Sequence, residues 1–176
     1  MKTIEIKLFS FDELSDEAKA QVIQNRRESV INDDDDYPLS EAIDSLKAIV
    51  EMLGCNLIDW QIGPYYHNSR ARVDCDGCSL DEFIDMLKFK GYPVIDGIPQ
   101  FPGIGGFTGI CYDDDIAETI YEGLATGLGL SGAIQVAAER IQEISENELE
   151  WRSSDEGILE SLDRSEEIYT ETGHES

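Results

Sequence analysis

The chain has 176 residues, with 38 acidic against 13 basic side chains and a formal net charge of −25. A hydrophobic share of 41% supplies a core at this length and excludes wholesale disorder; the expected organisation is a single acidic domain over 1–176, with a short flexible tail at about 172–176. Charge of this size costs stability through self-repulsion, repels nucleic acid and anionic membranes, and attracts basic surfaces in fast, salt-sensitive association.

Ile4, Ile6 and Leu8 alternate with Thr3, Glu5 and Lys7, which suits a half-buried strand. Ser15 is an N-cap candidate, with Asp16 and Glu17 placed where the helix dipole favours negative charge. Ala18, Val22 and Ile23 then predict a helix to about Val30. A second helix starts near Leu39–Glu41 and stops at Gly54. Leu57–Ile62 and Ser69–Cys75 read as two strands around the Gly63-Pro64 turn. Ser79 and Glu82 have capping-box spacing for a helix over 80–90 that ends at Gly91. Residues 91–110, rich in glycine and proline, predict a long ordered loop closing with a strand around Phe107–Tyr112. Helices follow over 114–125 and 132–150, then a short one capped by Ser153-Ser154-Asp155-Glu156 and running to Arg164. An edge strand is expected at Ile168–Thr170. The fold class this predicts is α+β, a small, mostly antiparallel sheet packed with five to six helices.

The charge is patchy. Residues 1–30 sum to −1 and 61–100 to −2, against −7 for 31–60, −9 for 101–150 and −6 for 151–176. Asp33, Asp34, Asp35 and Asp36 stand in a row before Tyr37, between two predicted helices. Asp113, Asp114 and Asp115 repeat the theme before another. Four cysteines (Cys55, Cys75, Cys78, Cys111) are too few for a disulfide scaffold. With no membrane-spanning run and no signal peptide after Met1, a reducing bacterial cytoplasm is the expected setting.

Catalytic and cofactor chemistry finds little support. Cys75-Asp76-Gly77-Cys78 is half of a zinc site whose other half would have to come from Cys55, Cys111 and His67, none at paired spacing. An EF-hand aligned on Gly77 would put Arg72 and Phe83 where carboxylates are required. Gly127-Leu128-Gly129-Leu130-Ser131-Gly132 matches G-x-G-x-x-G but follows a helix, so it reads as a glycine-rich helix–helix corner. His67 beside Cys75 or Cys78 is a weak dyad candidate. No catalytic residue, metal or cofactor is assigned, and the chain reads as a non-enzyme.

The segment Phe11-Asp12-Glu13-Leu14-Ser15-Asp16-Glu17-Ala18-Lys19, after a short strand, resembles the opening of a family of small proteins from bacteriophages, prophages and plasmids. Some members carry the label antitoxin of a toxin–antitoxin stability system. The acidic Asp33–Tyr37 region, the Ile58–Ile62 strand, Ser153–Ile158 and Glu167–Thr170 are similar in kind and order; residues 91–132 depart from the pattern. The resemblance implies a mobile-element origin and brings no catalytic residues.

Together with the charge, it leads to the expectation of a phage- or mobile-element-encoded inhibitor of a host nucleic-acid-targeting defence enzyme. Such an anti-CRISPR or anti-restriction protein would act as a DNA mimic on the basic nucleic-acid-binding surface of a CRISPR effector or restriction enzyme. The expected contact residues are Asp33, Asp34, Asp35, Asp36, Tyr37, Asp113, Asp114, Asp115, Glu118, Glu122, Glu139, Glu143 and Glu146, with Tyr112 and Tyr121 as further aromatic anchors. The alternatives are an antitoxin that neutralises a basic toxin through the same acids and a host adapted to high salt. Neither direct nucleic-acid binding nor a membrane is expected.

Overall fold

In a computed structural model of the chain, the described residues are 7–32, 37–62, 69–74, 77–110, 112–165 and 167–173, with the side chains of 37–39 set aside. Among them run α1 (Asp16–Asn32), α2 (Tyr37–Met52), β1 (Asn56–Gln61), β2 (Arg70–Asp74), α3 (Leu80–Phe89), β3 (Val94–Ile95), β4 (Ile98–Pro99), α4 (Tyr112–Ala125), α5 (Leu130–Ser153) and α6 (Asp155–Arg164). Six helices and two small antiparallel sheets make a small α+β fold.

The helix ends follow from their capping residues. The Ser15 hydroxyl accepts from the Ala18 amide at 3.2 Å, satisfying one of the orphan donors at the start of α1. At α3, the Glu82 amide donates to the Ser79 hydroxyl (3.3 Å) while the Ser79 amide donates back to the Glu82 carboxylate (2.8 Å). The Gly157 amide donates to the Ser154 hydroxyl at 3.1 Å to open α6. Gly54, at φ +71°, ends α2: its amide donates to Glu51 O (2.9 Å) and the Cys55 amide to Val50 O (3.1 Å). Gly91 stops α3 in the same way: its amide donates to Lys88 O and the Tyr92 amide to Leu87 O, each 3.0 Å.

The chain divides into two compact units, Met1–Asp35 with Asn147–Ser176, and Asp36–Glu146. The first unit is built from both ends of the chain. In that unit α1 packs on α6, burying Leu14, Ala18 and Val22 with Ile158, Leu162 and Tyr169. Phe9 and Tyr169 exchange both backbone hydrogen bonds at 2.9 Å. The edge strand expected at 168–170 is thus reduced to an isolated bridge; residues 1–6 of the expected first strand lie outside the described residues. The Phe11–Lys19 motif supplies structure here: Leu14 and Ala18 are buried, Phe11 packs beside them, and Lys19 sits over the Phe11 ring. Gly173, within the stretch expected as a flexible tail, is buried against Ala18 and Val22; residues 174–176 lie outside the described residues.

In the second unit, α2 packs on α4 and β1, and α3 on α4. The core gathers Leu46, Ile49, Phe83, Leu87, Ile116, Ile120, Ile134 and Ile141, all fully buried. β1 and β2 pair antiparallel from Asn56↔Asp74 to Gln61↔Arg70, with an irregularity between Leu57 and Asp59. The strand expected at 107–112 does not form. Instead β3 and β4 make a two-residue hairpin earlier in the loop, and the amides of 107–109 are taken by a carboxylate of α4. Cys55 is disulfide-bonded. Among the described residues no helix is long and apolar enough to cross a membrane.

Candidate partner-binding surface

Three consecutive aspartates open α4, and the fold divides them. Asp113 is fully buried and Asp114 nearly so, whereas Asp115 faces solvent. The Asp113 carboxylate accepts from the amides of Phe107 (2.8 Å), Thr108 (2.6 Å) and Gly109 (3.2 Å) and from the Thr108 hydroxyl (2.8 Å). Burial pushes its carboxyl up, but hydrogen bonds from Ser45, Thr108 and Phe107 outweigh that and hold it below the ordinary aspartate value. The Asp114 carboxylate accepts from the amides of Gly103 (2.6 Å) and Gly105 (3.2 Å) and from the buried Tyr92 hydroxyl (3.1 Å). Burial, above all, raises the Tyr92 phenol, and it remains a donor. These two aspartates therefore organise the glycine-rich loop from within. As contact residues for a partner they are corrected: a side chain occupied by loop amides and closed to solvent presents no charge to a surface.

The remaining acids of α4 behave differently. Asp115, Glu118 and Glu122 are exposed and recur at helical spacing, within about 60° of one another around the axis. None has an ion pair among the described residues. On α5, Glu139, Glu143 and Glu146 are likewise exposed and share one face by the same arithmetic. Arg140 bridges to Glu143 at 2.7 Å. The other two are held by glutamines. The Gln135 side-chain amide donates to Ser69 O (2.7 Å) and to Glu139 (2.9 Å), while its oxygen accepts from the Ala71 amide (3.0 Å). Gln142 accepts from the Ser69 amide (3.0 Å) and donates to Glu146 (2.6 Å).

Each glutamine thus joins the backbone at the β2 end of the sheet to a surface carboxylate. The relay satisfies edge groups of β2 and restricts the rotamers of Glu139 and Glu146, so part of the ordering that binding would require is already done. Sequence reading missed Gln135 and Gln142. Their spacing four residues before Glu139 and Glu146 signals the helical half of each relay; the strand half is a long-range contact without a local signature.

No family model, no curated protein and no solved structure matches the chain.

The other expected positions sort as follows. Asp33, Asp34, Asp35 and Asp36 lie outside the described residues, as does the side chain of Tyr37. Tyr112 and Tyr121 pack against the core, the Tyr121 ring 6.2 Å from that of Phe101. They are half-buried supports instead of free anchors. Among the described residues no group of three His, Cys, Asp or Glu side chains is placed to hold a metal ion. Cys78 is a free thiol that burial, and then Glu82, push up, which disfavours the thiolate a zinc ion needs; Cys75, Cys111 and His67 lie outside the described residues. The G-x-G-x-x-G run is a helix corner. Gly127, at φ +90°, donates to Leu124 O (3.1 Å), Leu128 donates to Gly123 O (3.0 Å), and α5 begins three residues after Gly127.

Proposed function

We propose that this protein is an acidic inhibitor that occupies the basic nucleic-acid-binding surface of another protein, of the kind offered by a CRISPR effector or a restriction enzyme. The observation that carries the reading is two sets of exposed carboxylates, each on one face of its own helix, α4 or α5, with Glu139 and Glu146 held in place by glutamine relays. Along α5, Glu139 and Glu146 are about 10 Å apart at 1.5 Å per residue. Three carboxylates lie over that length, one of them paired with Arg140, against one charge per about 3.4 Å of a single DNA strand. A track of lysines and arginines built for phosphates would accept such a row, and its counterions would be released in the same way.

Purified protein mixed with candidate effectors and their DNA tests this by gel mobility shift. The expected result is displacement of DNA from one of them, strongest at low salt. Reversal of Glu139, Glu143 and Glu146 to lysine should abolish the displacement, and reversal of Asp115, Glu118 and Glu122 should weaken it. Displacement that survives both reversals at low ionic strength would sink the proposal.

A further inference from the structure

The first unit contains a groove where arginines gather. Its volume is about 440 Å³, within the range of small-molecule sites. It is lined by Arg26 and Ser29 of α1, Trp151 and Arg152 of the last turn of α5, and Ser161 and Arg164 of α6. The whole chain has only 13 basic residues, and three of its arginines converge here. Glu148 and Glu160 also line the groove.

Two of the guanidiniums are engaged. Arg26 pairs with Glu167 at 2.9 Å, and Arg164 pairs with Glu160. Arg152 has neither an ion pair nor a hydrogen bond among the described residues, although the chain is crowded with carboxylates. Beside it Trp151 is 45% exposed. The backbone behind the indole is fixed, because Trp151 O accepts from the Ser154 hydroxyl (2.7 Å) and the Ser154 amide (3.0 Å). Gly157 closes that turn: a Cβ there would lie 2.2 Å from Trp151 O.

We infer that this groove binds a phosphate ester carried on a flat ring, the class represented by a nucleoside monophosphate, with the ring against Trp151 and the phosphate on Arg152 and Arg164. Planar guanidinium forks match phosphate oxygens in paired hydrogen bonds. The Ser29 and Ser161 hydroxyls add donors, so the groove offers more than the two oxygens of a carboxylate can take. An indole face is a stacking surface for a heteroaromatic ring. The charge balance limits the ligand. Glu148 and Glu160 in the lining and Glu167 on Arg26 match the three arginines in number, so the anion would rest chiefly on the unpaired Arg152, which suits a single phosphate and disfavours a triphosphate. The inference is independent of the inhibitor reading, since that involves acids of the second unit.

Fluorescence titration of the full chain tests it, in a Trp60→Phe background where Trp151 is the only tryptophan. Adenosine 5′-monophosphate should quench the emission saturably. Adenosine alone and inorganic phosphate alone should each bind about tenfold more weakly or worse, the weight of one charged or stacking contact. Arg152→Ala should weaken binding of the monophosphate by about the same factor, with far-ultraviolet circular dichroism unchanged because Arg152 makes no hydrogen bond or ion pair among the described residues. Absence of saturable quenching overturns the inference. So does inorganic phosphate binding as tightly as the nucleotide, which would mean an ion site without ring recognition, or an Arg152→Ala variant that binds as the parent does.

Discussion

Donors from Ser45, Phe107, Thr108 and Gly109 converge on the Asp113 carboxylate, which has no exposed surface to exchange them for water. A buried charge survives only when satisfied in this way. Asp113→Asn replaces one acceptor oxygen by an amino group facing N–H donors, and is expected to cost about 3 kcal/mol, read as a lowered denaturation midpoint. The pH dependence has a definite sign. The folded carboxyl titrates below its ordinary value of 3.8, so its stabilisation is complete above that value and lost as pH falls through the lower folded one. The gap between parent and Asp113→Asn should therefore be constant near neutrality and shrink below about pH 4. Gly106 makes a second point at this scale. A Cβ there would lie 2.5 Å from the buried Tyr92 ring, and Gly106→Ala is expected to cost about 1–3 kcal/mol, measured by thermal melting.

Hydrogen bonds between elements set the next level. β2 belongs to a two-stranded sheet, which is marginal by itself. The α5 glutamines bond the backbone of Ser69 and Ala71, at and just before the start of that strand. Replacing Gln135 and Gln142 together by alanine should speed hydrogen exchange at the Ser69 and Ala71 amides by about tenfold, as expected from loss of about 1 kcal/mol per bond. Exchange in the buried part of α4 should not change. Ser154→Ala, which removes the α6 cap, should lower stability by about 1 kcal/mol. Little of this level is legible in sequence. Ser15, Ser79, Ser154, Gly54 and Gly91 announce helix ends because caps act within six residues. The inner role of Asp113 is not announced, because Asp115 two positions on has the same chemistry and differs only in which way the helix turns it.

At the scale of the whole molecule, a charge of −25 acts as self-repulsion. Raising sodium chloride from about 10 mM to about 150 mM shortens the screening length from about 30 Å to about 8 Å. The melting temperature should therefore rise with salt, the reverse of what a fold dependent on surface ion pairs would show. Association with a basic partner should slow over the same range. Calorimetry and stopped-flow measurement on one preparation would separate the two effects.

The division of labour follows from the range of the forces. Periodicity, caps and composition are local, and they determined the helices, the β1–β2 pair, the α+β class and the acidic character. Tertiary structure decided which acids are surface and which are core, because burial depends on what packs against a residue from far along the chain. It turned Asp113 and Asp114 inward around a glycine-rich loop and left Asp115, Glu118 and Glu122 outside. It tied Glu139 and Glu146 through glutamines to a strand more than sixty residues earlier. It also joined the two chain ends into one unit with an arginine-lined groove, a juxtaposition of α1 with α6 to which no stretch of sequence points.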